Sequence, residues 1–369
     1  MALGSPVASA DVVTDWNAHT TEILTGPLTA ADERPLIGVH WAMVHVAIYD
    51  AVNAIDGSYR PFMVRLDGHA RGASQEAAAA AAAYTMLSRM FPSRSAALDG
   101  WYSASLAAVA DGNAKTRGIA IGKQVAETVL ARRADDGRNA IVTYTFGSGP
   151  GVYQATPGAP PTAPITPWLA KVKPFVMKNP WQFRSEAPPP LSSAHYAADL
   201  NETKQMGVKD SPYRTADQTV IAKFHTMNPT LFWGNNLNKF TRDMGMTVPE
   251  NARLMAQVFV TMADAIIGCW DGKFYFNRWR PVHAIIYADQ DDNLATSPQT
   301  DWVAQEVTPP HQEYPAGHGC ATGSVMEALK QYFGTTNIPL SLTSTASNTT
   351  RNYANSKELL DEVVDARVF

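Results

Sequence analysis

The sequence predicts an all-α protein, a set of helical bundles crossed by one long, ordered, proline-rich strap. Three observations point there. Apolar stretches of helical length and spacing dominate the 369 residues, two capping boxes mark helix starts, and no series of alternating strands is visible. The 45% apolar share suffices for a large core, and a 17% charged fraction lies below that of an average soluble protein, which suits extensive burial. A low charge fraction permits a homo-oligomer without requiring one.

Taken in order, the elements justify that class. From Leu36 to Ala54 the chain reads LIGVHWAMVHVAIYDAVNA, apolar on nearly every face, as in a helix deep inside a protein. Its polar interruptions His45, Asp50 and Asn53 then need partners. Ala77 to Ala83 form a strong helix former whose small side chains allow a neighbouring helix to come close. A third helix is expected between Lys115 and Arg133, ending at Asp135-Asp136-Gly137.

Between Phe146 and Ser192 prolines recur from Pro150 to Pro190, interleaved with Trp168, Phe175, Trp181 and Phe183. Proline blocks regular structure, while the aromatics argue against a free linker, so this stretch is the strap. Helices resume at Thr215-x-x-Gln218 and Thr247-x-x-Glu250, each a capping box. The second opens a core helix with Leu254, Val258, Met262, Ala265 and Ile266 on one face, which delivers the chain to Lys273.

Composition excludes some functions. Thirty basic against 34 acidic residues give a net charge of −4, not the footprint of a nucleic-acid binder. No run approaches the roughly 20 apolar residues of a membrane span. Met1 to Ala10 end in Ala8-Ser9-Ala10, which reads as the remnant of an export signal or a loose tail and points to an extracytoplasmic, periplasmic or secreted protein. Cys269 and Cys320 could pair in such a compartment, but two cysteines make no disulfide framework, and buried free thiols are the expectation.

Chemistry concentrates in two segments. In KFYFNRWRP, a continuous helix would put Lys273 and Arg280 two turns apart on one face, about 10 Å in rise, where two long cations can converge on an anion. Surface cations beside acidic partners would explain the spacing equally well. In PPHQEYPAGH, the helical pattern that follows places Gly317 and His318 at a helix N-terminus, where free amides and the dipole favour negative charge. A bound anion would favour imidazolium and the dipole would oppose it, so His318 could exchange a proton near neutral pH. A capping histidine in a turn is the plain alternative.

Together Lys273, Arg280-Pro281 and Pro315-Ala316-Gly317-His318 resemble two of three signature motifs, K-x6-R-P, P-S-G-H and S-R-x5-H, of the vanadium-dependent haloperoxidase and type 2 phosphatidic acid phosphatase superfamily. VVTDWN, WAMVHVAIYDAVNAIDGSYRPF, APPPLSSAHYAADLNETKQMG and YRTADQTVIAKF extend the likeness, over nearly the whole chain, to the bacterial haloperoxidase-like branch. The resemblance implies one helical domain over residues 11–369 lacking the end of its third motif, and a vanadate cofactor whose site phosphate can share. Lys273, Arg280 and Arg367 would hold the oxyanion, with the Gly317 amide and the backbone beside Ala316. Lys273 and His318 would be catalytic, and His311 would line the halide site, as in relatives that favour bromide.

Two departures accompany the match. Ala316 and Ala366 stand where the motifs usually carry serine, and losing a hydroxyl bond to a charged acceptor costs about 1–3 kcal/mol. The vanadium-ligating histidine, or phosphohistidine in the phosphatases, is expected six residues beyond Arg367, past Phe369. The implied partners are small molecules: hydrogen peroxide and halide, giving hypohalous acid, or a phosphate monoester for an acid phosphatase. A truncated, inactive oxyanion-binding chain is the third possibility. His283 is expected to pack in its own segment, and His40, His45, His195 and His225 carry no motif.

Overall fold

The computed structural model describes residues 11–66, 70–156 and 164–369; the expected signal remnant and three of the strap prolines lie outside them. The helices are α1 (Val12–Thr25), α2 (Ile37–Asp56), α3 (Gln75–Met90), α4 (Ser95–Ala107), α5 (Asn113–Arg132), α6 (Ala194–Met206), α7 (Ala216–Phe224), α8 (Pro229–Asp243), α9 (Val248–Phe276), α10 (Pro281–Ile286), α11 (Gly317–Phe333) and α12 (Ser356–Asp365). A hairpin of β1 (Leu340–Ser344) and β2 (Thr349–Tyr353) precedes α12. The chain divides into two compact units, the first from residues 1–139, 230–263 and 328–334, the second from 140–229, 264–327 and 335–369.

In the first unit α2, α3 and α5 pack on one another. The alanines of α3 do what their size allows: a Cβ at Gly118 or Gly122 of α5 would run into the backbone oxygens of Ser74 and Ala78. The polar residues of α2 are all matched. His45 Nε2 lies 3.0 Å from Asn17 Oδ1, Asp50 accepts from the amides of Phe62, Met63 and Val64 at 2.7–2.8 Å, and Asn53 brackets the backbone of Tyr59. Phe259 stacks on Trp41 and His45.

The second unit holds the strap and the motif segments. Its core gathers Tyr196, Leu200, Trp279, Val282, Ile285 and Trp302. The strap is fastened by acids on α9: Asp264 accepts from the amides of Phe175, Val176 and Met177 at 2.6–2.9 Å, and Asp271 takes a two-pronged pair from Arg184 at 2.8 and 3.1 Å. Trp181 and Phe183 do not anchor it; they stand 57% and 76% exposed.

The capping boxes differ from one another. Thr215 and Gln218 make both reciprocal bonds, whereas the Thr247 hydroxyl donates to Glu250 at 2.6 Å. The hairpin was not foreseen because each strand has only five residues; Asn348, with φ 53°, makes its left-handed turn. Among the described residues, α9 is the one helix long and apolar enough to cross a membrane, a feature obscured in sequence by interspersed polar residues, and 72% of its apolar window is buried within the protein.

Candidate oxyanion site

The motif residues all belong to the second unit. Lys273 lies in the last turn of α9, and there the expected continuous helix ends. Asn277 takes a left-handed conformation with φ 46°, and Arg280 is extended ahead of Pro281, as a residue before proline prefers. The two cations are therefore brought together by a turn, not by a shared helical face. Tyr153 N and Trp279 N close that turn on Asn277 O and Gly151 O at 2.8 and 3.0 Å.

Lys273 is wholly buried. Its Nζ donates to the carbonyls of Gln312 at 2.7 Å and Glu313 at 3.0 Å, and lies 5.8 Å from the centre of the Trp270 ring. Burial, together with the Arg280 charge and against the pull of Glu313, brings its pKa down to about 7. Arg280 Nη1 lies 2.9 Å from Glu313 Oε2, while its Nε is buried with no hydrogen-bond partner among the described residues.

Gly317 and His318 form the first turn of α11, as expected. The first amides of a helix have no helical carbonyl to bond, and Ala316, preceding them, has no side-chain oxygen to cap them. A Cβ on Gly317 would sit 3.5 Å from the Trp270 ring and 4.0 Å from Lys273 Cε, so the glycine keeps this face open beside the lysine. His318 Nε2 is 3.1 Å from Met227 O. A carbonyl only accepts, which puts the proton of the neutral ring on Nε2 and leaves Nδ1 as the basic nitrogen. Burial first, then the charge of Arg367, takes the pKa of His318 down to about 3.

Arg367 follows α12 and donates from Nη2 to His225 O at 3.0 Å, with its Nε buried and unbonded among the described residues. Burial lowers its pKa to about 10, partly offset by Glu313. His311 packs 5.6 Å from Trp270, its Nδ1 2.9 Å from Gln312 O; burial and then the charges of Lys273 and Arg280 keep it well below the usual imidazole range, hence neutral. Lys273, Arg280, Arg367, His311 and His318 thus lie within electrostatic reach of one another.

Sequence reasoning missed three supports. His225 is not an incidental histidine: its carbonyl holds Arg367, and its Nε2 lies 3.0 Å from Glu362 Oε1. Glu362 is a hub, bonded also by Tyr353 at 2.6 Å and Arg351 at 3.0 Å, and against the cost of burial these bonds hold its carboxyl below the usual range. Glu313 sits among the cations. Of the other histidines, His283 packs against Ala155 O at 3.1 Å, His40 against Glu33 at 3.1 Å, and His195 stands exposed 3.5 Å from Asp199.

Cys269 and Cys320 correct a further expectation, since they are bonded to each other across a Cα–Cα distance of 6.3 Å. The sequence offered no sign that α9 and α11 bring them side by side, 51 residues apart.

Comparison with known proteins agrees with this geometry. Residues 253–369 match the model of the second helical-bundle domain of vanadium chloroperoxidase. The vanadium chloroperoxidase of Curvularia inaequalis is 23% identical over 85% of this chain; the match spans 63% of that protein's length. A bacterial vanadium-dependent iodoperoxidase superposes with a TM-score of 0.77 at 22% identity, covering 96% of this chain and 88% of its own. An apo-type bacterial vanadium-dependent chloroperoxidase gives 0.71 at 14%, covering 98% and 92%. With its second-bundle domain, its helical fold and its motif residues gathered as described, the chain belongs to the vanadium haloperoxidase family.

Proposed function

We propose that the protein is a vanadate-dependent haloperoxidase that uses hydrogen peroxide to oxidise halide, bromide in preference, to hypohalous acid. The observation that carries this reading is the gathering of Lys273, Arg280 and Arg367 beside the open first turn of α11. The donor set suits an oxyanion: two guanidiniums each keep a buried, unbonded Nε, and Gly317 leaves room where a Cβ would intrude. Cationic donors fixed around one point hold a multivalent oxyanion without reorganisation.

Vanadate, when bound, supplies the Lewis-acidic centre at which peroxide becomes an oxidant of halide. The chain's own residues do the rest. Lys273, Arg280, Arg367 and the Gly317 amide bind the oxyanion; for Lys273 and Arg367 this means exchanging the carbonyls of Gln312, Glu313 and His225 for it. Lys273, poised near neutrality, gains its proton fully when an anion faces it and then polarises the oxygen it touches. His318, neutral with Nδ1 basic, takes up and returns a proton. Trp270 and His311 wall the site, and the preference for bromide rests on His311. The Cys269–Cys320 bond supports an extracytoplasmic setting, where disulfides persist.

The test is bromination, compared with iodide and chloride, by the protein extended through its third motif, with vanadate and hydrogen peroxide. Activity that rises with vanadate and is lost in Lys273→Ala and His318→Ala is expected. Hydrolysis of a chromogenic phosphate ester that vanadate suppresses, without bromination, would instead make it a phosphatase.

A further inference from the structure

Glu313 is the acidic residue among these cations, and neither the motifs nor the proposed chemistry gives it a task. Its backbone is fixed on both sides: the amide donates to Arg278 O at 3.1 Å and the carbonyl accepts from Lys273 at 3.0 Å. Its side chain is not fixed in the same way. Oε2 lies 2.9 Å from Arg280 Nη1, yet the pair lacks hydrogen-bond alignment, and that oxygen accepts no hydrogen bond among the described residues. The side chain is 35% exposed, against 14% for Arg280, so it has a route outward. The carboxylate also reaches beyond Arg280, favouring the charged forms of Lys273 and Arg367.

A buried cluster of three cations is costly without a counter-charge. We infer that Glu313 is the resident counter-ion of the oxyanion site: its carboxylate balances Lys273, Arg280 and Arg367 when no anion is bound, and competes with the anion for them. This rests on the reading of those cations as an oxyanion site. The poorly aligned contact fits the role, since a group that must give way gains nothing from directed bonds. A carboxylate left in place would repel a multivalent anion held on the same cations. Glu313 thereby sets how strongly the site discriminates between anions of different charge, and limits its occupation by weakly charged ones.

The experiment is calorimetric titration of the chain with inorganic phosphate at pH 7, for the unmodified protein, Glu313→Gln and Lys273→Ala. Glu313→Gln is expected to bind phosphate about tenfold more tightly, equivalent to about 1.4 kcal/mol, and to melt at a lower temperature without ligand; formate should restore part of that loss in the variant alone. Lys273→Ala is expected to bind more weakly. If Glu313→Gln binds phosphate no more tightly than the unmodified chain while Lys273→Ala weakens binding, the counter-ion role is overturned, because Glu313 then only positions Arg280 or contacts the anion itself. If Lys273→Ala leaves binding unchanged, the oxyanion site itself is misassigned. Should Glu313→Gln fail to fold, Glu313→Asp carries the same test: a carboxylate one methylene shorter must also tighten phosphate binding, and equal or weaker binding overturns the inference.

Discussion

His318 and Arg367 are held by the same short stretch of chain: His318 Nε2 donates to Met227 O, and Arg367 Nη2 donates to His225 O, two residues earlier. The stretch is itself tied to α12 through His225 and Glu362. One acid therefore orients two functional side chains that it does not touch. Glu362→Gln keeps the shape and removes the charge that His225, Tyr353 and Arg351 share. It is expected to weaken phosphate binding three- to tenfold while leaving helix content unchanged, measured by calorimetry and circular dichroism.

Cys269 and Cys320 join α9, three residues before its turn at Lys273, to α11, two residues after His318. A bond closing a loop of this length stabilises by about 2–4 kcal/mol. Cys320→Ser, or reduction, is expected to lower the thermal midpoint and to weaken phosphate binding, because the lysine and the helix start lose their tie. Thiol titration with and without reductant checks that the bond is present.

The ligand-free protein should gain stability with pH in two windows. His318 and His45 titrate near 3 when folded and near 6.5 when unfolded, so the unfolded chain holds more protons between those values and stability falls as pH drops from 6.5 towards 3. Lys273 titrates near 7 when folded and near 10.5 when unfolded, so its contribution rises as pH climbs from 7 to 10.5. Thermal midpoints across pH read both. Lys273→Met is expected to lose the upper rise and His318→Gln part of the lower one.

Binding an anion must reverse part of this. A multivalent oxyanion beside Lys273 and His318 raises both pKa values, so phosphate binding near pH 7.5 is expected to take up protons, on the order of half a proton from Lys273. Calorimetric enthalpies in buffers of different ionisation heat measure the uptake, and Lys273→Met should abolish most of it.

In the first unit, Gly122 packs against α3 so closely that a methyl group would meet Ala78 O. Gly122→Ala, harmless by helix propensity, is expected to destabilise by about 1–3 kcal/mol through forced separation of α3 and α5. Chemical denaturation checks this, with Gly100→Ala, where nothing lies within 4 Å, as the neutral comparison.

What the sequence revealed follows from how far apart the interacting groups are along the chain. The helix at Leu36–Ala54, the close approach along Ala77–Ala83 and the helix start at Gly317 are local patterns, and they are legible. Lys273, Arg280, Gly317, His318 and Arg367 were legible because the motif residues themselves carry the charge. The break at Asn277 was not, since a single left-handed residue hides inside an apolar helical pattern. His225 and Met227 act through backbone carbonyls, which no side-chain pattern reports. Glu313 and the Cys269–Cys320 pair acquire meaning only when segments distant in sequence meet.

The most direct measurement is a crystal structure of the chain grown with orthovanadate. The expected result is an anion within hydrogen-bond distance of Lys273 Nζ, the Arg280 and Arg367 guanidiniums and the Gly317 amide, with the Glu313 carboxylate withdrawn. An anion bound elsewhere, with Lys273 still on the carbonyls of Gln312 and Glu313 and Arg367 still on that of His225, would contradict the account.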